Sequence, residues 1–120
     1  TVWLAALMPE INRSISYAGS LPHEYKKYVK NWADWEQSAS HIYSITNYWR
    51  LYRLMTIDEK GKPNRNATLV YNSLDECCFS DPSATHFQKE IESLNWQNLS
   101  VILDNEKEHV MNTDLVKKIF

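Results

Sequence analysis

The chain has 120 residues, a length that suits one domain spanning 1–120 and permits a buried core. Its apolar fraction of 43% and charged fraction of 23% are those of a globular protein and argue against a disordered chain. A net charge of −2 excludes a surface that is basic throughout, and no apolar run approaches the roughly 20 residues of a membrane span.

The cysteines, Cys77 and Cys78, are adjacent. Neighbours bridge each other only with strain, and no third thiol exists for a disulfide framework, so the expected setting is reducing and cytoplasmic. With only two glycines, the turns must rely on Asn, Asp and Pro. The chain carries no P-loop, no G-x-S-x-G and no H-E-x-x-H, so no cofactor is expected.

In chain order, Thr1 to Met8 is an apolar run of strand length, stopped by Pro9; periodicity alone does not separate it from a buried helix. Ile11 to Tyr17 alternates weakly, as a short strand or a loop. Ser20 has the character of a helix cap, with Pro22 and Glu24 in the first turn. Tyr25, Tyr28, Val29, Trp32 and Trp35 follow at helical spacing and predict a helix over 21–38. Residues 41–55 are ambiguous between helix and strand. Their β-forming content favours a strand over 49–57, extending back as far as Ile42.

Asp58 to Asn66 is a polar turn, and Ala67 to Leu74 a second strand completing a hairpin. Asp81-Pro82 starts a helix over 82–95, with Phe87, Ile91 and Leu94 at i, i+4 and i+7. Leu99 to Leu103 and Glu108 to Met111 form two short strands about a turn at 104–107. Asp114 to Phe120 forms a last helical turn.

Four groups of residues bear on function. Tyr25, Tyr28, Trp32, Trp35, Trp49 and Tyr52 supply a core stripe or, where surplus, an aromatic surface for a protein partner. Arg50, Arg53, Lys60, Lys62 and Arg65 lie about the expected hairpin, where a phosphate backbone would find them. Cys77, Cys78, His86 and Asp104 are the residues nearest to a thiol or carboxylate chemistry, but their spacing fits no metal site and no catalytic motif. Glu90, Glu92, Asp104, Glu106, Glu108 and Asp114 form an acidic set, read first as a solvated face and second as a steering surface for a basic partner.

The expected fold is α+β: an antiparallel sheet built from the 49–57/67–74 hairpin and the 99–103/108–111 strands and joined by the N-terminal strand, with two or three helices mainly on one face. The expected function is that of a small non-catalytic binding or inhibitory factor, immunity-like in occluding or scaffolding a protein partner. The alternatives are a nucleic-acid accessory protein using the basic-aromatic segment 48–65, and a small enzyme.

Overall fold

The computed structural model describes residues 1–28, 40–76 and 82–120. In order these form α1 (Val2–Leu7), β1 (Arg13–Tyr17), a 3-10 helix (His23–Tyr28), α2 (Ser40–Ile45) and α3 (Tyr48–Thr56). They continue with β2 (Asn66–Asn72), α4 (Ser83–Ser93), β3 (Leu99–Asp104) and α5 (Thr113–Ile119). Helices and one sheet do make an α+β domain. The sheet, however, is parallel throughout, in the order β1-β2-β3, and not antiparallel.

The correction originates in α3. Tyr48, Leu51, Tyr52 and Met55 are its buried apolar residues, at i, i+3, i+4 and i+7, which is the repeat of a helix with one buried face. The Asn47 side chain caps the first turn by accepting from the Arg50 N–H at 3.0 Å. Aromatic and β-branched content favoured a strand, but burial against the rest of the chain decides such segments. With 48–56 helical, the expected hairpin cannot form. The polar turn exists, with Asp58 Oδ1 accepting from the N–H groups of Lys60 and Lys62 at 2.9 Å each, but it joins a helix to a strand.

Two further expectations change. The apolar N-terminal run is α1, with Val2, Ala5 and Ala6 inward; Met8, ahead of Pro9, leaves the helix in an extended conformation. Residues 108–111 make no strand. They belong to a segment that turns sharply at Glu108 (φ 55°) and is held by Asn72, whose Nδ2 donates to the carbonyls of Glu108 (2.7 Å) and Val110 (2.9 Å). Most of the predicted helix 21–38 lies outside the described residues; its first part is the 3-10 turn.

Side chains alternate across the sheet. Ala67, Leu69 and Tyr71 of β2, with Leu99, Val101 and Leu103 of β3, join the main core under α1, α3 and α4. Phe87 of α4 is the hub, with ring centroids of Tyr25, Trp49, Tyr52 and Tyr71 at 5.3, 5.5, 5.8 and 6.1 Å. Trp96 stacks on Trp49 at 6.1 Å with an interplanar angle of 7°. Val70, on the other face, is buried but stands outside this cluster.

Candidate functional site

Arg65 is 2% exposed and donates to five backbone carbonyls. Nε reaches Ile11 at 2.9 Å; Nη1 reaches Leu54 at 2.7 Å and Ile57 at 3.3 Å. Nη2 reaches Met8 at 2.9 Å, and also Ala5. The guanidinium therefore sits where α1 and α3 end and satisfies carbonyls those helices leave over. Burial pulls its pKa below the ordinary arginine value, opposed by the charge of Glu10. Its role is structural.

The other basic candidates are dispersed around the turn. Arg50 and Arg53 are exposed on α3, and Arg50 Nη1 donates to the Ile45 carbonyl at 3.0 Å. Lys60 and Lys62 are exposed in the turn. Of the aromatic candidates, Tyr52 is 0% exposed and its hydroxyl donates to Ser20 Oγ at 3.0 Å. Tyr25 and Trp49 are half-buried against Phe87, and Trp49 Nε1 donates to Glu24. Tyr28 ends the 3-10 turn, while Trp32, Trp35, Cys77 and Cys78 lie outside the described residues. His86 is exposed on α4, remote in sequence from Asp104 at the end of β3. Among the described residues no group of three or more His, Cys, Asp or Glu is placed to hold a metal ion, and no helix is long and apolar enough to cross a membrane.

The surface that remains is the second face of the sheet. Strand register puts Arg13, Ile15 and Tyr17 of β1 beside Asn66, Thr68 and Val70 of β2, and Thr68 beside Ser100 of β3. Parallel sheets are ordinarily covered on both faces. Here the described cover is the segment 108–112, held by Asn72 and Tyr17, and α5, a seven-residue helix with no buried residue.

Two grooves flank it. One, of about 430 Å³, is lined by Leu4, Ile11, Ile15, Met111, Val116 and Phe120, among others. Leu4 is 58% exposed, Met111 54% and Phe120 67%. The other, of about 450 Å³, is lined by Arg13, Asn66, Ala67, Thr68, Asn98, Leu99, Ser100 and Ile119. Arg13 borders both and donates from Nη1 to the Phe120 carbonyl at 2.7 Å.

The carboxyl end of the strands fixes α5 and the segment before it. The Tyr17 hydroxyl donates to Asp104 Oδ2 and accepts from the Asn112 N–H at 3.1 Å. Asn112 in turn caps α5, accepting from Leu115 N–H at 3.0 Å. Burial, then the bond to Asp104, pushes the Tyr17 pKa from 10.0 up to about 12, so the hydroxyl stays a donor. In the segment before α5, His109 Nε2 lies 3.0 Å from the buried carboxylate of Asp75.

Sequence reasoning missed this face because its residues are scattered over α1, β1, β2, β3 and α5. The alternation of Ile15 and Tyr17 with Ser14 and Ser16 is the available signal, and it is too short to separate strand from loop. No protein-family model, no curated protein and no solved structure matches the chain.

Proposed function

We propose that the protein is a non-catalytic binding factor that occludes or scaffolds a protein partner, and that it docks through the apolar groove between α1, β1 and α5. The observation that carries the reading is the thin cover of a parallel sheet among the described residues: the segment 108–112 and one short helix, flanked by exposed Leu4, Met111 and Phe120. Contiguous exposed apolar surface of this kind marks an interaction site. A partner laying an apolar face into the groove would complete the layer that a parallel sheet ordinarily has.

The aromatic residues supply this surface only indirectly. Trp49 and Tyr52 hold α3 against the core, and α3 supports α1, whose outer residue Leu4 lines the groove. The test is site-specific photo-crosslinking in the native cell with the reactive residue at Leu4, at Met111, or at Lys60 on the distant turn. One protein adduct shared by Leu4 and Met111 and absent from Lys60 is expected. Adducts indifferent to position, or none, would remove the reading.

A further inference from the structure

The second groove differs from the first in its chemistry. The parallel register sets Arg13 beside Asn66 and Thr68 beside Ser100 on the same face, and Asn98 lies just ahead of β3. All five line one cavity of about 450 Å³, within the range of small-molecule sites. No carboxylate is among its described lining residues.

The polar groups there are largely unspent. Among the described residues, the Arg13 guanidinium makes one hydrogen bond, from Nη1 to the backbone oxygen of Phe120. The rest of its fork is open. The side-chain amides of Asn66 and Asn98 bond to no described residue. Thr68 Oγ1 and Ser100 Oγ, 3.1 Å apart, bond to each other and keep further capacity as donors and acceptors. Thr68 is buried at the floor of the groove, while Arg13, Asn66 and Ser100 stand at its exposed rim.

We infer that this groove is a binding site for a small hydroxylated oxyanion, with Arg13 taking the anionic group and Asn66, Thr68, Asn98 and Ser100 taking the hydroxyls. Arginine's planar fork matches a phosphate or carboxylate in a two-point contact that a neutral side chain cannot reproduce. Amides and hydroxyls offer both donors and acceptors, which is what a polyol presents in return. Ala67 and Leu99, whose side chains belong to the core, and Ile119 of α5 complete the lining. The site shares Arg13 with the apolar groove, but Asn66, Thr68, Asn98 and Ser100 do not line that groove.

The probe is glycerol 3-phosphate, titrated into the full chain while the side-chain amide signals of Asn66 and Asn98 are followed by NMR, with glycerol and inorganic phosphate as controls. Saturable shifts of both signals are expected, with affinity weakened at least about tenfold in Arg13→Gln. Leu4→Glu, which addresses the apolar groove, leaves the titration unchanged, so the two readings fail independently. Arg13 is exposed, so its variant folds, and its unfolding transition verifies that. No saturable shift up to about 10 mM, or equal affinity in Arg13→Gln, would overturn the inference. Inorganic phosphate binding as tightly as glycerol 3-phosphate would overturn recognition of the hydroxyls.

Discussion

The Arg65 guanidinium donates a 2.7 Å hydrogen bond to the carbonyl of Leu54, in the last turn of α3. Its other contacts extend the same device to α1, so one buried cation terminates two helices and ties both to the residue just before β2. Arg65→Met keeps much of the apolar stem but leaves buried carbonyls without donors. The expected loss is about 3–5 kcal/mol, read as a lowered urea midpoint. Arg65→Lys recovers only part of it, since one ammonium cannot span five acceptors. A loss under about 1 kcal/mol would show that water satisfies these carbonyls instead.

Phe87 is the ring that four other aromatic rings share. Phe87→Ala should cost about 3–5 kcal/mol, and Phe87→Leu clearly less, because leucine refills much of the volume. Equal losses would mean that edge-to-face ring geometry, rather than filled space, sets the energy of this core.

Tyr17 links alkaline stability to the position of α5. Its pKa is raised, so the folded protein keeps a proton that the unfolded chain releases near pH 10.0. Its contribution is fully present below pH 10.0 and is lost as pH rises toward about 12. Tyr17→Phe removes that step. Denaturation profiles of the two proteins should converge over this interval, and parallel profiles would refute the assignment.

Leu4 and Phe120 are largely exposed, so glutamate at either position should change folding stability by no more than about 0.5 kcal/mol. The same variants should abolish the crosslinked adduct at Met111. A large stability loss instead would assign these residues to the core of a larger assembly.

Several elements were readable in the residues alone. Phe87 and Ile91 announced α4, Asp58 to Asn66 announced a turn, and the apolar runs at 67–74 and 99–103 marked β2 and β3. The order strand, helix, strand across 67–103 already called for a parallel crossover, because a helix between neighbouring strands returns the chain to the same end. The expected hairpin obscured that. Trp49, Leu51 and Met55 fit a two-residue period as well as Tyr48, Leu51, Tyr52 and Met55 fit a helical one, and only packing on Phe87 distinguishes them. Arg65 gave no sign of burial, since nothing local marks a cation that will meet carbonyls from two distant helix ends. The groove residues converge only through the register of β1 on β2.

That register has a kinetic side. Arg13 pairs with Asn66 across nearly half the chain, whereas Ala67 pairs with Leu99 over a shorter stretch. Closing the longer loop costs more entropy before any contact compensates for it, so β2, α4 and β3 should assemble first and β1 should dock late. Ile15→Val would then speed unfolding with little effect on the folding rate, while Leu69→Ala would slow folding. Both grooves take a wall from β1, so neither exists until the final step of folding, and no earlier species on the pathway can bind at this face.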